Sequence, residues 1–147
     1  DNLCIALNTK KTFLSCLFNK LKQKDLNKLL EITNTINLED KKNLIAKNLS
    51  HGEKQWLEIG MLLMQQSDLL LIDEPVAGMT ETETKKTSDL LLNIAKDRTI
   101  IIVEHDMNFI ESLNVEIIVL HEGRVLTRGN MNSIKRNKQV IDVYLGR

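Results

Sequence analysis

Proline occurs once in this chain of 147 residues, as Pro75, and glycine only six times. With 42% apolar and 27% charged residues, the composition is neither that of a disordered segment nor collagen-like. Cysteine is scarce too. Cys4 and Cys16 are too few for a disulfide framework and fit a reducing cytosol. Net charge is absent, with 20 basic groups against 20 acidic, which removes any global electrostatic case for a nucleic-acid partner. Long hydrophobic runs are missing as well. Leu69–Ile72 and Ile100–Val103 stop after four residues, far short of the ~20 that a membrane span needs.

What is present suits a compact α/β domain, which at this length can bury roughly 70% of its unfolded surface. Charge is unevenly divided: residues 1–48 hold nine lysines against five acids, and residues 49–147 hold 11 basic against 15 acidic groups. Two solvated surfaces account for that division better than a binding patch. Lysine, asparagine and isoleucine make up 15, 14 and 15 residues, a bias typical of AT-rich genomes. Because the chain opens on Asp1 instead of methionine, it is expected to be a cut or processed piece of a longer protein.

Residues 1–48 read as helical. Leu14, Leu17, Phe18 and Leu21 recur at spacings of three and four, and Leu26, Leu29, Leu30 and Ile36 loosely continue the pattern. No glycine or proline precedes Gly52, and Asn and Thr cluster at a break near Thr33–Asp40. From Leu49 the grammar changes. Ser50-His51-Gly52-Glu53 is a capping box that opens a helix to about Gln66, with Trp56, Ile59, Gly60 and Leu63 on one face. Thr80-Glu81-Thr82-Glu83 is a second capping box, opening a helix to about Lys96.

Between and after these helices, Leu69–Ile72 and Thr99–Val103 read as buried parallel strands. A short helix follows over about Met107–Leu113. Glu116–Leu120 and Arg124–Thr127 flank Glu122-Gly123 as a hairpin, and Met131–Asn137 and Val140–Leu145 are helical. Strand, helix, strand predicts an α/β fold with a right-handed crossover, in which ligands lie beyond the carboxyl ends of the strands. Asp73-Glu74 and Glu104-His105-Asp106 stand at those ends.

Consecutive strand residues point to opposite faces, so Asp73 and Glu74 can take different roles: one holding Mg²⁺ and the other orienting a nucleophile. The bland alternative is two acids that solvate a loop. His105 could donate a hydrogen bond to a phosphate, although a single histidine at a strand end is more often a loop residue. A metal site around it ranks low, since His51 and His121 show no ligand spacing. The Ser50–Glu53 turn offers backbone N–H groups at a helix start, where anions are favoured. Taken alone it is an ordinary capped helix.

In combination the segments say more. Leu49-Ser50-His51-Gly52-Glu53-Lys54-Gln55, then Leu70-Leu71-Ile72-Asp73-Glu74-Pro75, then Val103-Glu104-His105-Asp106 resemble the signature motif, Walker B strand and switch histidine of an ABC ATPase, in order and spacing. Val76-Ala77-Gly78-Met79-Thr80 is similar to the D-loop that follows Walker B in that family. The stretch from Ser50 to Gln65, with Glu74–Thr80, His121-Glu122-Gly123-Arg124 and the ending Val143–Arg147, resembles the urea-transporter branch, which lies beside the branched-chain amino acid importers.

The resemblance implies a P-loop NTPase-like ABC ATPase domain, partial, with residues 1–48 as most of the helical subdomain and 49–147 as the C-terminal part of the ATPase core. It implies ATP and Mg²⁺ as cofactors. Asp73 would hold the metal, Glu74 would polarise the attacking water, and His105 would contact the γ-phosphate. Ser50, His51, Gly52 and Glu53 would meet nucleotide bound to the opposite subunit, with Ser50 and Gly52 on its γ-phosphate. Gly78, Met79 and Thr80 would form the D-loop.

Implied partners are a second ABC ATPase subunit (a paralogue, in the urea branch), membrane-spanning permease subunits and, indirectly, a periplasmic solute-binding protein. The implied place is the cytoplasmic side of the plasma membrane, as a peripheral subunit. His51 stands where the wider family has glycine, Glu53 where it has glutamine, and Thr80 where the D-loop has aspartate. No Gly-x-x-x-x-Gly-Lys-Ser/Thr occurs, so the Walker A loop that cradles phosphate lies outside this sequence. The chain is therefore expected to be the C-terminal part of the domain and inactive alone. The alternatives are a branched-chain amino acid importer subunit, an ABC ATPase without transport, and a non-catalytic remnant that only docks partners.

Overall fold

The computed structural model describes residues 1–7 and 22–145. The helical pattern read over Leu14–Leu21, Cys16 and the last two residues lie outside them. Two compact units are present, Asp1–Val103 and Glu104–Arg147. Within the first unit the helix Gln23–Thr35 of the lysine-rich segment packs on the helix His51–Met64 that begins at the first capping box.

The first unit contains α1 (Asn2–Ile5), α2 (Gln23–Thr35), α3 (His51–Met64), strand β1 (Leu69–Asp73), α4 (Glu81–Ile94) and strand β2 (Thr99–Val103). Both expected capping boxes form. Ser50 Oγ accepts from the Glu53 N–H while Glu53 reaches back to the Ser50 N–H, and Thr80 and Glu83 repeat the arrangement at α4. These reciprocal bonds satisfy orphan donors of the first turn and set where each helix starts.

Leu90, Leu91 and Ile94 of α4, and Trp56, Ile59, Leu63 and Met64 of α3, are buried at helical spacing. At the far end of α3, Lys28 of α2 donates to the Met64 carbonyl at 3.1 Å, a cation on a helix C-terminus. Gly60 lies where α3 meets α1 and α2. A Cβ there would come 2.6 Å from Ile36 Cδ1 and 3.1 Å from Leu3 Cδ2. Alanine is worth about 1 kcal/mol over glycine inside an exposed helix. Here the overpacking against fully buried Ile36 exceeds that gain. We expect Gly60→Ala to destabilise the chain by about 1–2 kcal/mol, read as a lower urea midpoint, whereas a raised midpoint would show that Ile36 moves aside freely.

β1 and β2 pair in parallel, with Leu69 opposite Thr99 and Asp73 opposite Val103. The expectation that both strands are buried is corrected by the structure. Leu70 and Ile72 are buried, but Leu71 is 66% exposed and Leu69, Ile101 and Val103 are exposed with it. An uninterrupted apolar run carries no record of which face is packed, and in this two-stranded sheet only one is.

The second unit contains α5 (Met107–Leu113), strands β3 (Ile117–His121) and β4 (Arg124–Gly129), α6 (Met131–Arg136) and α7 (Lys138–Val140), followed by a wider helical turn over Ile141–Leu145. The hairpin forms as expected, with antiparallel pairing and a bulge at Val119/Leu120. Glu122 and Gly123 take φ of 48° and 74°, the left-handed pair that matches hairpin twist. Phe109, Leu113, Met131, Ile134 and Val140 are buried. Lys135 pairs with Glu111 at 2.8 Å, and the Tyr144 hydroxyl donates to the Leu120 carbonyl.

Candidate functional site

Asp73 ends β1 and is exposed. Glu74 follows it, and here the expected alternation of faces is corrected. Glu74 is not extended but left-handed, with φ of 46°. For a residue bearing a Cβ this backbone is uncommon, and side chains in it concentrate at functional sites. The Glu74 N–H donates to the Val103 carbonyl at 2.9 Å, so the turn after β1 is tied to the end of β2. Pro75 and Val76 are buried behind it, whereas Asp73 and Glu74 are exposed.

Helix α3 holds this turn from one side. His51 and Gln55, four residues apart, share a helix face. His51 Nε2 lies 2.9 Å from the Ala77 carbonyl, and Gln55 Nε2 donates to the Glu74 carbonyl at 3.4 Å. A carbonyl can only accept, so His51 Nε2 is the donor in this bond. Inside the turn the Ala77 N–H donates to the Glu74 carbonyl and the Met79 N–H to the Val76 carbonyl. Gly78, at φ of 69°, then leads into Met79 and the Thr80 cap.

The two helix starts also meet. Ser50 Oγ donates to Glu83 Oε1 at 3.2 Å, while Glu83 Oε2 accepts from the Thr80 N–H at 3.0 Å and from Thr80 Oγ at 2.8 Å. Below them the Trp56 indole N–H donates to Thr87 Oγ1 at 2.8 Å, and Thr87 Oγ1 donates to the Glu83 carbonyl at 2.9 Å. Thus Ser50, His51, Gly52, Asp73, Glu74, Gly78, Met79 and Thr80, singled out from the sequence, share one region of the first unit.

Glu53 faces a different neighbour. It is mostly buried, and Lys41 binds its Oε1 while the Ser50 N–H donates to Oε2 at 3.0 Å. Lys41 above all, and the Ser50 N–H, hold its carboxyl below the usual 4.5. A depressed carboxylate adds stability above its unfolded pKa, and loses it as pH falls through the folded value. We expect Lys41→Met to lower stability by no more than about 1 kcal/mol at neutral pH, because Lys41 is itself partly exposed. The difference from the parent should shrink as Glu53 protonates in acid. Urea midpoints over descending pH check this, and a gap that stays constant would refute the Glu53 assignment.

His105 belongs to the second unit, two residues beyond β2, and its side chain is 80% exposed. Glu104 holds its backbone. Glu104 Oε2 accepts from the N–H groups of His105 at 2.6 Å and Asp106 at 3.1 Å, and the Glu104 side chain is only 2% exposed. Asp106 caps α5 by accepting from Asn108 and Phe109 N–H. The residues that sequence reasoning passed over are Gln55 and Glu83. The i, i+4 spacing of His51 and Gln55 signalled a shared face, but nothing local marks Glu83 as a partner of Ser50.

As for metals, no group of three His, Cys, Asp or Glu able to hold an ion alone occurs among the described residues. One exposed carboxylate at a strand end fits a different arrangement. Mg²⁺ is commonly bound by one or two carboxylates, with substrate phosphates and waters completing the shell.

Residues 4–77 match the family model described as ABC transporter. The chain belongs to the ABC transporter family. It is 31% identical over 131 residues to the high-affinity branched-chain amino acid transport ATP-binding protein LivG of Escherichia coli K12, covering 88% of this chain and 51% of LivG. To BraF of Pseudomonas aeruginosa, named likewise, it is 33% identical over 113 residues, covering 76% of this chain and 44% of BraF. A nucleotide-free ATP-binding cassette from an ABC transporter superposes with a TM-score of 0.81 at 24% identity, over 99% of this chain and 62% of that one. The fold is therefore that of the ABC ATPase domain, present in part, as the sequence led us to expect. The ABC chain spans about half the length of the curated relatives it matches. No helix among its described residues is long and apolar enough to cross a membrane.

Proposed function

We propose that this chain is the C-terminal part of the ATP-binding subunit of an ABC importer for urea or short amides, coupling ATP hydrolysis to transport. The observation that carries the reading is the pair of bonds from His51 and Gln55 to the Ala77 and Glu74 carbonyls, which joins the start of α3 to the carboxylate end of β1. In this reading the two segments of the resemblance act as one body with two faces.

One face serves nucleotide bound in the same subunit. Asp73 holds the Mg²⁺ that accompanies ATP, an ion that neutralises phosphate charge. Glu74 accepts a hydrogen bond from the attacking water and orients it; the γ-phosphate contact of His105, a residue of the second unit, is carried over from the resemblance alone. The other face serves nucleotide held by a second, paralogous ATPase subunit, with Ser50 and Gly52 on its γ-phosphate and His51 and Glu53 supporting the turn. Gly78, Met79 and Thr80 form the D-loop between the two faces. Residues 1–48 supply most of the helical subdomain that meets the membrane-spanning permease subunits, and a periplasmic solute-binding protein acts indirectly. The subunit is peripheral on the cytoplasmic side of the plasma membrane.

Direct contacts to the β- and γ-phosphates come mostly from a Walker A backbone and its lysine. Calorimetric titration of Mg-ATP into this chain alone should therefore show no binding, and binding should appear when the N-terminal half of a cassette completes it. Binding to the chain alone would overturn the assignment of roles. Branched-chain amino acids as cargo are the second reading, favoured by the names of LivG and BraF. Solute-stimulated turnover in the assembled transporter, urea against leucine, decides between them.

A further inference from the structure

The Glu83 carboxylate rests on the first turn of α3. Its Oε1 accepts from Ser50 Oγ at 3.2 Å, and a Cβ built on Gly52 would stand 2.8 Å from that same oxygen and 3.0 Å from Glu83 Cδ. The absence of a side chain at Gly52 is what lets a carboxylate from another helix come so close. Backbone N–H groups and the helix dipole favour an anion at such a start. An anion is already there, supplied by the chain itself.

We propose that Glu83 is an internal occupant of the phosphate seat on α3, which must leave Ser50 and Gly52 before a phosphoryl group can enter. This rests on the reading of Ser50–Glu53 as a γ-phosphate contact and adds a regulation to it. Two anionic groups within about 4 Å repel each other even in water, so phosphate and carboxylate compete for the seat. The carboxylate is held ionised by Thr80 first, through its N–H and hydroxyl, with Ser50 and His51 adding to the effect.

Its two oxygens do different work. Oε1 reaches Ser50, whereas Oε2 stays on Thr80 and closes the capping box of α4. Release of Oε1 alone frees the seat and leaves α4 capped. An unfilled seat is kept closed by the same contact.

The test uses this chain labelled with ¹⁵N and titrated with inorganic phosphate, following the Gly52 and Glu53 amide resonances. Glu83→Gln keeps the capping box, which accepts either residue, and removes the charge. Glu83→Asp keeps the charge and withdraws it by one methylene. Both variants are expected to bind phosphate about tenfold more tightly than the parent, as loss of a close like charge allows. Equal affinity in all three would overturn the occupant and leave the seat standing. Tight binding by the Gln variant alone would still support exclusion by charge, whereas tight binding by the Asp variant alone would make charge irrelevant and overturn it. If none of the three shows a saturable shift, the seat itself is refuted and the inference goes with it.

Discussion

Glu74→Gln, in the protein completed with the N-terminal half of the cassette, is expected to abolish ATP turnover while leaving Mg-ATP binding intact. The substitution preserves volume and the capacity to hydrogen-bond. Two bonds that tie the turn run through the Glu74 main chain, from its N–H to Val103 and from its carbonyl to Gln55. In the proposed mechanism, what disappears is the charge that aligns the attacking water and accepts its proton. A positioned general base contributes about 10²–10⁴-fold, so phosphate release should fall by at least that lower bound. Calorimetry on the same variant supplies the binding constant. Turnover within threefold of the parent would remove Glu74 from the mechanism.

The largest effect on stability is expected at Trp56. Its ring is buried between α3 and α4, with Lys86 Nζ 6.0 Å from the ring centre, and its N–H is paired with wholly buried Thr87. Trp56→Ala should cost about 3–5 kcal/mol, a large part of the 5–15 kcal/mol typical of a domain. Thr87→Val is the sharper probe, since it keeps shape and strands the indole N–H in an apolar place. It should cost about 1–3 kcal/mol. Because both changes break one bond, their sum should exceed the double variant by a measurable coupling energy in urea titrations. Full additivity would mean that the Trp56–Thr87 bond does not hold the seam between the helices.

Much of this was legible because the signals are local. Ser50/Glu53 and Thr80/Glu83 are capping boxes whose reciprocal bonds lie within four residues, so spacing alone placed both helix starts. Glu122-Gly123 announced its hairpin for the same reason. What escaped the sequence depends on partners distant along the chain. The Ser50–Glu83 bond spans 33 residues and has no periodic signature. Glu74 was misplaced because alternation assumes an extended backbone, and a left-handed residue leaves the strand. The exposed face of the sheet was hidden by composition: Leu69–Ile72 and Ile100–Val103 are apolar at both parities, so no position marks inside from outside.

That last property bears on how the sheet finds its alignment. Elsewhere a one-residue slip between strands is penalised by turning polar groups inward. Here a slip would exchange Leu70 and Ile72 for Leu69 and Leu71 with little change in apolar burial, and Asp73 would turn inward with them. The left-handed Glu74 adds to the discrimination that Asp73 provides. It ends the ladder one residue beyond Asp73, with its N–H already committed to Val103, and Pro75 behind it has no N–H to offer a shifted partner. A left-handed residue at the end of β1 thus stands beside Asp73 as a second mark of where the ladder stops.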